Sequence, residues 1–155
     1  MNAIPVLTIE DVAALDGLLA DFLNKAEARL TIIIDRGGNV ISQFGEISAT
    51  DVTVMAALAA GTFGATRELA RRIGEAEFSA LYHQGMGNHM FMNSVDDDTI
   101  MITVFGSRTT VGLVRFYAGQ TAQKVGVLLK KLHDNVPSIQ FTAADIAATP
   151  VFVDQ

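Results

Sequence analysis

The amino-acid sequence predicts a single α/β (α+β) domain in which helices pack on a five-stranded antiparallel sheet, in the order α-β-β-α-β-β-β-α. Length is the first reason, because 155 residues are about one domain. Half of the residues are hydrophobic, which is enough for a core without disulfides or metal. Apolar residues recur at helical spacing in some segments and form strand-length runs in others. Turn-forming residues separate these runs.

The N-terminal part predicts one helix and a hairpin. Thr8 is followed three residues later by Asp11, which is typical of a capping box with Asp in place of Glu. The apolar spacing beyond it continues to about Arg29. Strand-length apolar runs at 30–35 and 40–44 then flank a Gly-Gly turn, and this pattern indicates a β-hairpin.

A longer second helix is predicted from about Thr50 to Ile73, with Gly74 in the position that often ends a helix. Turn residues divide the next part of the chain into three strands, at 81–84, 90–95 and 99–105. A third helix over 109–132 completes the domain. Its apolar face is predicted to consist of Val111, Val114, Ala118, Ala122, Val125, Leu129 and Leu132.

We expect the domain to occupy residues 8–133 and a C-terminal tail to occupy 134–155. Pro137 interrupts the chain after the third helix, and Thr142 is placed to cap a short helix at 142–148. This tail is too short to fold alone.

Composition excludes several classes of function. The net charge is −6 and no basic run exceeds two residues, whereas nucleic-acid binding requires a basic stripe that neutralises phosphates. The chain has no cysteine, which removes disulfide scaffolds, thiol nucleophiles, zinc ribbons and iron–sulfur ligation. The longest aliphatic run, 30–34, is far shorter than the ~20 residues of a membrane helix. Because the start also lacks a basic signal region, we expect a cytoplasmic protein without membrane insertion.

The second helix carries small residues where a polar face is expected. We expect its core face to be Met55, Leu58, Ala59, Thr62, Thr66, Leu69, Ala70 and Ile73. On or beside the opposite side lie Ala57, Ala60, Gly61 and Gly64, with Phe63 flanking the core face, and Arg67, Glu68 and Arg71 form a charged border. Each helical glycine costs about 1 kcal/mol relative to alanine, so both require a reason. Either another protein approaches closely here, or the glycines make room for a bulky neighbour within the same domain.

Motifs that would indicate catalysis or a cofactor are weak. The Gly-x-Gly at 85–87 leads into a strand, so it lacks the helix N-terminus that cradles a phosphate. His83 and His89 flank a turn, but a metal site needs three or four ligands. Asp96, Asp97 and Asp98 form a run that suits a turn. We therefore predict no catalytic site of its own, no cofactor and no metal.

Several segments resemble one known family. They are Ile-Ile-Asp-Arg-Gly-Gly-Asn-Val-Ile at 33–41, Leu-Ala-Ala-Gly-Thr-Phe-Gly-Ala-Thr at 58–66, Tyr-His-Gln-Gly at 82–85 and Thr-Val-Gly-Leu-Val-Arg at 110–115. Their order and spacing, over about residues 9–133, resemble the roadblock/dynein-light-chain fold and within it the bacterial MglB subgroup.

The resemblance implies a homodimer that regulates a Ras-like small GTPase of the MglA type in cell polarity or motility. In such dimers the second helices lie side by side and edge strands can pair. The dimer accelerates GTP hydrolysis without an arginine finger of its own, by remodelling the switches so that the GTPase's own arginine and glutamine act. The resemblance places Ala60, Gly61 and Gly64 on the shared dimer and GTPase surface. The alternative is a roadblock scaffold that tethers proteins without changing hydrolysis.

Overall fold

Helices and strands follow one another in the predicted order. The computed structural model describes residues 7–46 and 48–134, with the side chains of 49 and 50 not described. The helices are α1 (Ile9–Ala26), α2 (Ala49–Arg72) and α3 (Val111–Asp134). The strands are β1 (Leu30–Asp35), β2 (Val40–Gly45), β3 (Ala80–Gln84), β4 (His89–Ser94) and β5 (Thr99–Phe105). The predicted boundaries hold to within two residues except for α1, which ends three residues before Arg29.

A pair of hydrogen bonds marks the start of the first helix, and a glycine in the left-handed backbone conformation follows the second helix. The Thr8 side chain accepts a hydrogen bond from the Asp11 backbone at 3.2 Å, and the Asp11 carboxylate accepts one from the Thr8 backbone at 2.9 Å. The predicted capping box is therefore confirmed. After α2, Gly74 adopts a φ of +86°, a conformation that side chains disfavour and that lets the chain turn away.

The sheet is antiparallel throughout and has the order β2-β1-β5-β4-β3. The central strand β5 and its neighbour β1 are buried along almost their whole length. The edge strands are β2 and β3, and both are more exposed. The predicted five-stranded antiparallel sheet is therefore confirmed.

Helices cover both faces of the sheet. On one face, α1 and α3 enclose a core that includes Leu15, Leu19, Phe22, Met101 and Phe105. The buried part of the predicted α3 face (Val114, Ala118, Ala122, Val125 and Leu129) is confirmed. On the other face, α2 packs alone over strand residues that include Ile32, Ile34, Met92, Ile100 and Ile102.

Two further features concern the extent of the domain. In the parts of the chain that the structure describes, no helix combines the length and the apolar character needed to cross a bilayer. Helix α3 extends to Asp134, and the short helix expected at 142–148 lies outside the described residues.

Candidate interaction surface on the second helix

Helix α2 contacts the sheet through a mostly small-residue face with one large ring at its centre. The Phe63 side chain is 1% exposed and lies among buried β1 and β5 side chains. The other buried residues of α2 are Val52, Ala56, Ala59, Ala60 and Ala70. The Phe63 ring is therefore the largest side chain that α2 buries against the sheet.

The predicted core face of α2 is therefore partly wrong. Ala59 and Ala70 are buried and Met55 and Thr66 are half-buried, as expected. Four other members of the expected face are exposed instead: Leu58, Thr62, Leu69 and Ile73. The cause is that α2 has two apolar sides and only one can lie on the sheet. The helix is rotated so that the side that carries Phe63, its largest apolar side chain, lies on the sheet.

The exposed apolar residues form a continuous row, which we call the α2 stripe. Val54, Leu58, Leu69 and Ile73 are 53–70% exposed and lie on one side of the helix. Gly61, Thr62 and Ala65 fill the middle of this row. At 1.5 Å per residue the stripe is about 28 Å long. An exposed apolar surface of this length is typical of a protein–protein contact.

Sequence reasoning missed the large residues of the stripe because it assigned Leu58, Leu69 and Ile73 to the core. The available signal was the width of the apolar arc, which is greater than one contact with a sheet requires.

Gly61 and Gly64 have no packing role within the described residues. Both are exposed, and a Cβ added at either glycine would meet nothing within 4 Å. The interpretation that they make room for a bulky neighbour of the same domain is thus not supported. Their effect is to leave the middle of an exposed helix without side chains, so that another molecule can approach its backbone.

Ala57 and Ala60, by contrast, have contacts inside the domain. Ala60 is 9% exposed and belongs to the core beneath α2, so the expectation that it lies on the exposed side is wrong. Ala57 is exposed but adjoins the β1–β2 turn. A Cβ added to Gly38 would lie 3.0 Å from the Ala57 Cα, and Gly38 has a φ of +90°. Gly38 therefore lets the turn pack closely against α2.

Arg67 is held by a loop rather than directed freely to solvent. Its Nη2 lies 3.4 Å from Oε1 of Glu77, in the segment between α2 and β3. The same carboxylate oxygen lies 2.6 Å from Nη2 of Arg36 in the β1–β2 turn. The Arg36 guanidinium also lies 5.7 Å from the centre of the Phe63 ring and donates a hydrogen bond to the Asp97 carbonyl. This cluster joins the end of α2 to two turns.

The Glu77 carboxylate is kept ionised by its neighbours. Partial burial alone would raise its pKa, but the hydrogen bond and charge of Arg36, and then those of Arg67, outweigh that effect. The pKa of Glu77 therefore lies below its ordinary value of about 4.5. Sequence reasoning missed both Arg36 and Glu77, because the contact depends on loops that are distant along the chain.

The remaining charged residues form a solvated border. Glu68 lies 3.7 Å from Arg71 and 3.3 Å from Arg72, and all three side chains are more than half exposed. Such surface pairs contribute about 0–1 kcal/mol, so they can exchange partners at little cost. Glu68 and Arg71, both expected in the border, thus adjoin Gly61 and Gly64 on the exposed side.

The histidines belong to a different part of the molecule. The His89 ring lies 5.2 Å from the ring of Phe105 and 6.2 Å from that of Tyr82, in an aromatic cluster. His83 is exposed on the edge strand β3. Within residues 7–46 and 48–134, no three His, Asp or Glu side chains are grouped as a metal ion requires.

The fold and the α2 stripe together define a class of protein. An antiparallel sheet is covered by helices on both faces, and one of these helices exposes a long apolar row, a feature that is typical of protein–protein contact sites. The family model of the Roadblock/LC7 domain matches residues 15–105, and the chain therefore belongs to that family.

Solved structures with the same fold include MglB proteins. MglB of Myxococcus xanthus is 28% identical, with a TM-score of 0.75, over 82% of this chain and 96% of that one. The gliding protein MglB of Thermus thermophilus is 22% identical, with a TM-score of 0.78, over 84% of this chain and 99% of that one. An MglB with a tetrameric arrangement, also 22% identical, has a TM-score of 0.79 over 85% of this chain and 99% of that one. No curated protein sequence matches the chain.

Proposed function

We propose that this protein is a cytoplasmic homodimer that activates a Ras-like small GTPase of the MglA type in bacterial cell polarity or motility. The observation that carries the proposal is the α2 stripe, with Gly61 open to solvent at its middle and Gly64 open to solvent beside it. The similarity to Myxococcus xanthus MglB supports the choice of GTPase.

The shape of the stripe favours pairing with a second copy. A two-fold symmetric contact places the same surface on both molecules. Large side chains lie toward both ends of the stripe, at Val54 and Leu58 and again at Leu69 and Ile73. Small residues lie between them, so two antiparallel α2 helices can cross closely at the middle while leucines of one contact leucines of the other. Such a contact removes the exposed leucines from water.

The GTPase is proposed to bind on the outward side of the paired helices. Gly64, beside the stripe, allows a switch segment to approach the helix backbone, and Glu68 and Arg71 supply charges around it. Arg67 is held by Glu77, and this ion pair would fix the position of the C-terminal end of α2 relative to the segment between α2 and β3. In this proposal the catalytic arginine and glutamine belong to the GTPase. The dimer positions them, an effect that can be worth ~10³–10⁵ in rate.

The test is single-turnover GTP hydrolysis by the MglA-type GTPase of the same organism, with and without this chain. We expect stimulation of about tenfold or more, because correct positioning of switch residues lowers the barrier. Gly64→Arg should abolish it by blocking close approach. Gly17→Arg is the matched control: Gly17 also lies within an exposed helix and a Cβ there also meets nothing within 4 Å, but α1 is on the opposite face of the sheet.

The outcomes separate the alternatives. Binding of the GTPase without stimulation would replace the activating role with a scaffold that tethers it. Absence of binding would refute the GTPase partner, and only the assignment to the Roadblock/LC7 family would remain. If Gly64→Arg still dimerises and still stimulates, the surface assignment is wrong.

A further inference from the structure

A second apolar surface lies on the face of the sheet opposite α2, in the groove between α1 and α3. We call it the α1–α3 groove. Its volume is about 460 Å³. The main lining residues are Ala14 and Leu18 of α1 and Lys124, Val127, Leu128 and Lys131 of α3. Leu18 and Leu128 pack on the core below, whereas Val127 is 58% exposed at the surface.

The α3 wall of this groove is basic. Lys124 and Lys131 are exposed, and neither lies within ion-pair distance of a carboxylate in the part of the chain that the structure describes. On α1, the Asp21 carboxylate is paired with Lys25 at 2.9 Å, and the Asp11 carboxylate is used in the cap. The groove therefore suits a segment that is apolar and acidic.

The chain that follows α3 has this composition. Residues 135–155 contain no lysine or arginine, and their only charged side chains are Asp145 and Asp154. Their large apolar residues are Val136, Ile139, Phe141, Ile146, Val151, Phe152 and Val153. The segment is also close, because Lys131 is one helical turn before the end of α3. Since each extended residue spans ~3.3–3.6 Å, a few linker residues are enough to return to the groove.

We propose that residues 139–154 of the same chain dock in the α1–α3 groove, with apolar side chains over Val127 and the aspartates toward Lys124 and Lys131. Attachment through a short linker gives an effective concentration in the millimolar range, so a weak contact is sufficient for occupancy. The docked segment lies on the face opposite α2. It therefore leaves the α2 stripe available to a partner, and this inference can be tested independently of the proposed GTPase.

The experiment uses the full chain, whose lack of cysteine allows a single label site. Thr149→Cys carries a nitroxide, and broadening of backbone amide signals by NMR reports which residues the tail approaches. We expect strong broadening at Leu18 and Val127 and none at Gly61. A second sample tests contacts between molecules. It mixes isotope-labelled chains that carry no nitroxide with nitroxide-labelled chains that carry no isotope, so any broadening comes from another chain.

Surface variants test the chemistry of the contact. Val127→Asp should lower tail occupancy by about tenfold, because it replaces an apolar contact with a charge that repels the aspartates. The double variant Lys124→Glu with Lys131→Glu should lower it at low salt and show little further loss at high salt. Met86→Asp is the control, since Met86 is a fully exposed apolar residue outside the groove.

Specific results would overturn the proposal. Broadening at α2 instead of the groove would place the tail elsewhere, and no broadening on the domain would mean that the tail does not dock. Broadening in the mixed sample alone would make a second copy the occupant. All three positions of the charge-changing variants are exposed, so retained circular dichroism is expected and a loss of broadening is attributable to the contact.

Discussion

The two faces of the sheet are covered differently, and the difference explains where this protein forms contacts. Strands are spaced about 4.8 Å apart, so the edge strands of a five-stranded sheet are separated by about 20 Å. A helix is about 10–12 Å across. Two helices, α1 and α3, therefore match the width of one face, and their inward-facing residues Leu15, Leu19, Val114 and Val125 are fully buried.

The single helix on the other face cannot match that width. Leu81, Met90 and Val104, on β3, β4 and β5, are only partly buried on the α2 side. Helix α2 itself leaves Leu58 and Leu69 in solvent. Within the described residues, the α1–α3 face thus covers most of its side of the sheet, whereas the α2 face retains apolar surface on both sheet and helix. A second α2 helix beside the first would correct this imbalance.

The largest effect is expected from a substitution in the core under α1 and α3. Phe22→Ala removes a ring of α1 that is 1% exposed and should lower the free energy of unfolding by about 3–5 kcal/mol. Phe116→Ala is the matched control, because Phe116 is 59% exposed on α3. Urea unfolding of both variants at one protein concentration provides the measurement. Equal losses for the two rings would contradict the idea that burial between α1, α3 and the sheet is what makes Phe22 stabilising.

A substitution in the α2 stripe is expected to change the stability of the fold less than the core substitution does, but to weaken self-association strongly. Leu58→Asp should weaken self-association by about 100-fold or more, because the charge enters the contact twice in a symmetric dimer. The fold should persist, since Leu58 is 66% exposed. Sedimentation at a series of concentrations measures the dissociation constant. Ile9→Asp, at a 90% exposed residue of α1, serves as the control. An unchanged constant for Leu58→Asp would remove the stripe from the dimer contact.

The smallest effect on the free energy of unfolding is expected from removing the Glu77 carboxylate, which joins α2 to the β1–β2 turn. Glu77→Gln should cost about 1 kcal/mol at neutral pH, because it removes a charged hydrogen-bond acceptor shared by Arg36 and Arg67. The depressed pKa of Glu77 fixes the sign of the pH dependence. This contribution is complete above about pH 4.5 and is lost as the pH falls through the folded-state pKa.

Urea unfolding of the wild type and Glu77→Gln at neutral and acidic pH checks this dependence, with the exposed Glu75→Gln as the control. The two proteins should converge in acid. A difference that persists below the folded-state pKa would contradict a role for the ionised carboxylate.

Local features of the fold could be predicted from sequence because neighbouring residues determine them. The capping box at Thr8 and Asp11 needs only one helical turn, and β1 at Leu30–Asp35 is an apolar run ended by a turn. The prediction that Gly61 and Gly64 lie exposed also holds. That the two glycines contact a partner is a prediction for the hydrolysis and dimerisation tests of Gly64→Arg.

Periodicity, caps and turns act over a few residues, so the order of the elements, the antiparallel sheet and the resemblance to the roadblock family could all be read from the sequence. Which apolar side of α2 meets the sheet was settled by three-dimensional packing, because it depends on how Phe63 and Gly38 pack against distant strands and turns. That packing placed Ala60 in the core and Leu58 and Leu69 in solvent. Helical spacing alone cannot distinguish the two sides, since each is apolar enough to be buried.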